Sequence, residues 1–349
     1  MKLKCRTVTA GWWLFSAENS RVKRGNFAAC GVSLVLVNRL VALTVACSAG
    51  LAVYGVAAQS RTPTPTARPR SEPKPDGPFA FDPALFEKKH KPGPHDWLTS
   101  FPEPGQTFEQ YLAQNPTGVS ARRRVIVLQP LGHFDRDELA VLERLRQFTS
   151  VYFQLPVRVQ RPLPLPDHRT RPRRMGMLEW TQHHTVTIME EVLLPHLPDD
   201  AVCYLGITMA DLYPERSWNF VFGQASFDKR VGVYSLIRYT NRFWGQPETD
   251  HSKEMFLRRG YKVLAHETGH MFSIAHCTEN ECVMNGTNSL DETDRSTMHL
   301  CPVCLRKLQW GLKFDVAARY RQLRALYAGA GLDDWTQWLD RRLASLDAD

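Results

Sequence analysis

Beyond residue 122 the apolar positions change period repeatedly, and each change predicts an element. The short run VIVLQ predicts a strand over residues 124–129. From Asp135 to Tyr152 the spacing is helical, with Leu139, Leu142, Leu145 and Phe148 along one side and Asp135 placed to cap the first turn. Val157–Val159 reads as a second strand, and residues 168–175, HRTRPRRM, as a solvated basic loop. Residues 181–194 read as a second helix with Ile188, Val192 and Leu193 on its face. His183 and His184 on that helix would point apart, which makes them surface histidines and not joint ligands. Residues 201–208 are apolar throughout, as a strand buried on both faces is. An edge strand falls within 223–235 and a long helix within 253–272. Two packing helices follow at 314–328 and 333–343, the second with Trp335, Trp338 and Leu339 on its apolar face. Alternating strands and helices imply an α/β fold, a twisted mixed sheet with the 253–272 helix packed on it.

Upstream the pattern is of another kind. Residues 40–58 hold no charge and follow Lys2, Lys4, Arg6, Arg21, Lys23, Arg24 and Arg39. Residues 1–58 are therefore a basic amino terminus plus either an export signal or a single membrane anchor. Val56, Ala57 and Ala58 before Gln59 have the small-residue pattern of a cleavage site. Starting at Val37, the same run is a conventional short signal, so the first 36 residues can also be an extension from an early start codon. The catalytic domain is expected on the non-cytoplasmic side, or in the cytoplasm if the segment is such an extension. Residues 59–78 form a Pro-rich, extended linker. Residues 79–121, Pro-rich with Phe79, Phe81, Phe86, Trp97 and Phe101, are expected to be irregular and draped on the domain, with a short helix at 108–114. The domain proper spans 122–349.

Charge changes little in this picture. The net charge is +8. Residues 1–75 carry 11 Lys/Arg against 2 Asp/Glu, and the remainder is near neutral. The excess belongs to the amino-terminal segment and linker, so no nucleic-acid function is read from it.

Residues 266–304 carry the chemistry. His266 and His270 are four apart and share one face of a helix. Two imidazoles on one face can hold a zinc ion, with Glu267 beside them as a candidate base for its water. His276 lies six residues on, so the helix must break near Ser273 and the chain turn back. Three protein ligands leave a fourth zinc position open, the catalytic arrangement. His299 falls outside this spacing and reads as a non-ligand. Cys277 and Cys282, followed by Cys301 and Cys304 in a C-x-x-C, have the spacing of a closed structural zinc site, the alternative being two disulfides. Of the eight cysteines, Cys5, Cys30 and Cys47 lie upstream, and Cys203 is alone in a buried strand. The absence of a disulfide framework fits a reducing compartment and conflicts with the export signal; the apolar segment weighs more, because zinc-bound thiolates are protected from oxidation.

The segment HETGHMFSIAHCTENECVM with CPVC resembles the archaemetzincin signature, H-E-x-x-H-x-x-G-x-x-H-C, then a second cysteine, a methionine and C-x-x-C. Residues 204–235 are similar to that family's central and edge strands, residues 300–323 to its tail, and the likeness runs from 122 to about 345. The resemblance implies a metzincin-like zinc protease of aminopeptidase type. It would place catalytic zinc on His266, His270 and His276, the base at Glu267, a second zinc on Cys277, Cys282, Cys301 and Cys304 organising the carboxy-terminal part, and Met284 in the turn beneath the catalytic zinc. Where the family has glycine this chain has Ser273, which must take a left-handed conformation at a cost of about 1 kcal/mol or somewhat more.

The sequence is therefore read as a monomeric zinc peptidase with two zinc ions per chain, acting on a peptide or protein substrate. A zinc-organised, catalytically weak peptide-binding module is the alternative, favoured by Ser273 and opposed by Glu267. A zinc hydrolase acting on a non-peptide bond stays open.

Overall fold

The computed structural model describes residues 77–348 and the backbone of Trp12–Ser16. The expected signal or anchor at 40–58, nearly all of the linker, and Cys5, Cys30 and Cys47 lie outside the described residues. Among the described residues nine strands form a single mixed sheet. They are β1 (Trp12–Ser16), β2 (Val125–Leu131), β3 (Val157–Val159), β4 (Thr170–Met175), β5 (Leu178–His184), β6 (Ala201–Thr208), β7 (Asp211–Tyr213), β8 (Val221–Ser226) and β9 (Val231–Ser235). Their order is β3-β2-β6-β9-β8-β7-β5-β4, with β1 paired to β8. β6 sits between β2 and β9, parallel to both and buried along its length. β8 runs antiparallel to β9.

The helices are α1 (Trp97–Ser100), α2 (Phe108–Ala113), α3 (Arg136–Phe153), α4 (Thr185–Thr187, continued by a π-helical turn Ile188–Leu193), α5 (Asp250–Met271), α6 (Leu290–Arg295), α7 (Pro302–Leu312), α8 (Val316–Gly329) and α9 (Asp333–Ala348). Helices α3, α5 and α8 share a core on one face of the sheet, where the rings of Phe148 and Tyr261 stack 4.2 Å apart. The opposite face is covered by Ile188, Met189 and Leu193. α3 is closed by a capping box between Asp135 and Glu138. Of its expected face, Leu142, Leu145 and Phe148 are buried, but Leu139 is half exposed, because the helix turns it away from the sheet.

Three expectations are corrected. The edge strand expected within 223–235 is replaced by β8 and β9, both flanked by neighbours on each side, because β7 and β1 also pair with β8. Residues 168–175 are not a loop: β4 forms the edge of the sheet in an antiparallel hairpin with β5. Its Pro172 is tolerated because an edge strand need not donate on both sides. The helix expected from 181 starts only at Thr185, since residues 181–184 are held in β5 by β4 and β7. His183 and His184 are half-buried, with lowered pKa from burial. His184 bonds Thr187 and the Pro214 carbonyl, so it is a packing residue and no ligand. α6 and α7 were not foreseen; Pro302 at the first position of α7 is a helix-start signal that CPVC concealed. Among the described residues no helix is long and apolar enough to cross a membrane.

Candidate active site

α5 is capped by Thr249, whose side chain forms a capping box with Ser252, and runs 22 residues from Asp250 to Met271. It ends in a Schellman motif: Ser273 N donates to the His270 carbonyl (2.8 Å) and Ile274 N to the Gly269 carbonyl (3.2 Å). Ser273 takes φ of 65°. That left-handed residue reverses the chain and brings His276 back over the last turn of the helix.

The three histidines converge. His266 Nε2 lies 2.9 Å from His270 Nε2 and 3.2 Å from His276 Nε2. Ligand nitrogens about 2.0–2.1 Å from one tetrahedral ion sit roughly 3.3 Å apart, close to this spacing. Each opposite nitrogen is engaged: His266 Nδ1 with the Val283 carbonyl (2.8 Å), His270 Nδ1 with the Ile274 carbonyl (2.7 Å), His276 Nδ1 with Glu103 Oε2 (2.8 Å). An Nδ1–H donor leaves the Nε2 lone pair facing inward. Burial, helped by His276, pulls the His266 pKa down to about 3. Burial and the two neighbouring imidazoles take His270 well below its usual value. Neutral imidazoles are what a metal ligand requires.

Glu267 is fully buried, and neither carboxylate oxygen meets a hydrogen-bond partner. Burial pushes its pKa well above the usual carboxylate range. A buried carboxyl without partners is costly unless something polar joins it. It lies against Gly223 of β8, where a Cβ would come within 2.5 Å of Oε1. Three converging imidazoles beside an unsatisfied carboxyl group suit a divalent cation and a water.

The second cluster lies one residue away. Cys277, Cys282, Cys301 and Cys304 are all free thiols, and their sulfurs gather within 4.8 Å of one another. Cys277 Sγ is 3.7 Å from Cys301 Sγ, far beyond a disulfide bond and near the roughly 3.8 Å that tetrahedral Zn–S geometry sets. Hydrogen bonds from the other three thiols, Cys282 first, draw the Cys277 pKa well below its usual value. Asn285 braces this loop, donating to the carbonyls of Cys277 (2.6 Å) and Asn280 (2.9 Å) and accepting from Cys282 N (3.0 Å). The same loop supplies Val283 O to His266 and Met284 to the underside of α5. Met284 is fully buried against Gly269, where a Cβ would meet its sulfur at 2.5 Å. His299 joins neither cluster; its ring stacks on Trp338 at 3.7 Å.

The chain is similar to several known proteins. Residues 192–310 match the sequence model of Peptidase family M54. The solved archaemetzincin of Methanopyrus kandleri is similar at 27% identity, covering 55% of this chain and 97% of that one, with a TM-score of 0.44. Mouse archaemetzincin-2 is 31% identical over 320 residues, 77% of this chain and 89% of its own. Human archaemetzincin-2 is 35% identical over 273 residues, 70% of this chain and 76% of its own. The chain belongs to the archaemetzincin family. Family membership supports a zinc metallopeptidase.

Several residues of this archaemetzincin site could not be found by sequence reasoning. Glu103 and Gln106 reach the turn from the 79–121 extension, about 170 residues upstream in the chain. Gln106 donates to the Ser273 carbonyl and accepts from Ala275 N, both at 3.1 Å. Ser273 itself is more than a strained substitute. Its hydroxyl accepts from Thr117 N (3.1 Å) and donates to the Phe227 carbonyl (3.2 Å).

Proposed function

We propose that this chain is a zinc-dependent peptidase in which His266, His270 and His276 hold the catalytic ion and Glu267 is the general base. The observation that carries the proposal is the convergence of three buried imidazoles beside a buried carboxyl group whose oxygens meet no hydrogen-bond partner. When bound, zinc supplies Lewis acidity toward the scissile carbonyl and toward the attacking water. Glu267 takes the proton from that water as it adds to the carbonyl and passes it to the departing amine nitrogen. Cys277, Cys282, Cys301 and Cys304 hold a second, structural zinc, making two ions per chain.

An extended substrate would take the place that β1 holds against β8, by main-chain hydrogen bonds. The chain's own β1 supports this, since it pairs antiparallel with β8 and sets Phe15 opposite Gly223, the residue against which Glu267 packs. Aminopeptidase action rests on the family resemblance alone. We propose further that residues 40–58 direct the domain to the non-cytoplasmic side, and that the chain acts as a monomer on peptides or proteins. Ser273, which favoured a binding module without turnover, has the conformation that carries His276 to the cluster, so no feature now favours that reading.

The test is a library of free and amino-terminally blocked peptides, offered to purified protein and to Glu267→Ala. The parent should cleave free amino termini, and the variant should lose roughly 100-fold or more in kcat while keeping its zinc. Equal behaviour of the two proteins ends the enzyme reading; cleavage within blocked peptides ends the aminopeptidase one.

A further inference from the structure

We propose that Glu103, outside the region matched by the family model, is a positioning residue that fixes His276 for metal binding. The inference rests on the functional reading of the three histidines and deepens it. His266 and His270 are held by α5 itself, with backbone carbonyls on their outer nitrogens. His276 has no helix to hold it. It sits in the reversed segment after Ser273, and its outer nitrogen meets a side chain instead. The Glu103 carboxylate, 12% exposed, accepts from His276 Nδ1 at 2.8 Å with Oε2 and from Trp97 Nε1 at 3.0 Å with Oε1.

Both oxygens of Glu103 thus serve as acceptors for ring N–H donors. Only a carboxylate can do this, because a carboxamide has one acceptor oxygen and would present an N–H₂ to the second donor. The residue is fixed from all sides. Pro102 and Pro104 flank it and restrict the backbone on either side. The Trp97 ring packs edge-on against His276, with centroids 5.1 Å apart. Gln106 holds the same turn by two hydrogen bonds. An anion on the outer nitrogen fixes the Nδ1–H tautomer, aims Nε2 at the ion and raises its basicity.

The experiment uses the full chain. Parent, Glu103→Gln and Glu103→Ala are titrated against a graded series of chelators, counting zinc per protein. Glu103→Gln should weaken the easily removed zinc by about 10–100-fold, and Glu103→Ala by at least as much. The tightly held zinc of the Gln variant should not move, and its unfolding should stay cooperative. In metal-free, ¹⁵N-histidine-labelled protein, His276 should be the Nδ1–H tautomer in the parent and a mixture in Glu103→Ala. If Glu103→Ala does not fold, the isosteric Gln variant still decides. Parent-like zinc affinity in Glu103→Gln overturns the role of Glu103 while leaving the metal reading intact. A parent without any chelator-sensitive zinc overturns both.

Discussion

Ser273 shows how a local rule and its tertiary setting compete. Taken alone, a serine at φ of 65° is a strained residue that glycine should improve by roughly 1 kcal/mol. Its hydroxyl, however, makes two hydrogen bonds, each worth about 0.5–1.5 kcal/mol net, and Thr117 N would lose its acceptor. Glycine would also add unfolded-state entropy. Ser273→Gly is therefore expected to cost about 0.5–1 kcal/mol in denaturant unfolding; a variant more stable than the parent would show that the hydroxyl contributes nothing. Gly223 poses the converse case. Ala at this site would place a methyl 2.5 Å from Glu267 Oε1 and 2.9 Å from its Cγ, so the side chain of Glu267 would have to move. Gly223→Ala should lose about 100-fold in kcat with zinc content unchanged, as expected when the base alone is displaced. Full activity in that variant would mean Glu267 does not act from this position.

Among the elements, the loop from Cys277 to Met284 links the two clusters. His276 and Cys277 are neighbours, and the carbonyl that orients His266 belongs to Val283, next to Cys282. Loss of the cysteine cluster should therefore loosen both the carboxy-terminal helices and the histidine site. Cys301 also precedes the first residue of α7. Cys301→Ser is expected to lower the melting temperature by about 5–10 °C, because a structural site contributes folding energy directly. Zinc added to the parent should raise its melting temperature more than it raises that of the variant. Identical melting with and without zinc in both proteins would remove the four-cysteine site.

For the whole molecule, the two sites should differ in how readily they release metal. An open three-ligand site exchanges more readily than a closed, buried four-thiolate one. Mild chelation should remove one zinc and abolish peptide cleavage, while circular dichroism and the melting curve keep their native form. Simultaneous release of both ions would contradict the division into open and closed sites. The extension at 79–121 should also protect the site. Limited proteolysis that cuts between Trp97 and Thr117 should weaken zinc binding, since Glu103, Gln106 and Thr117 all reach the Ser273–His276 turn from there.

The sequence by itself determined whatever depends on short spacing. Two histidines four apart must share a helix face, four cysteines in close pairs can meet at one ion, and an apolar eight-residue run must lie mid-sheet. Those are local or near-local constraints, and the mixed α/β sheet follows from their order. Tertiary structure alone decided the remainder, because it depends on contacts between residues far apart in the chain. Residues 181–184 look helical until β4 and β7 supply strand partners. Leu139 fits the apolar stripe of α3 until the helix is rotated against the sheet. Glu103 is an unremarkable acid between two prolines until folding sets it 2.8 Å from His276, across 173 residues of chain that no periodicity could span.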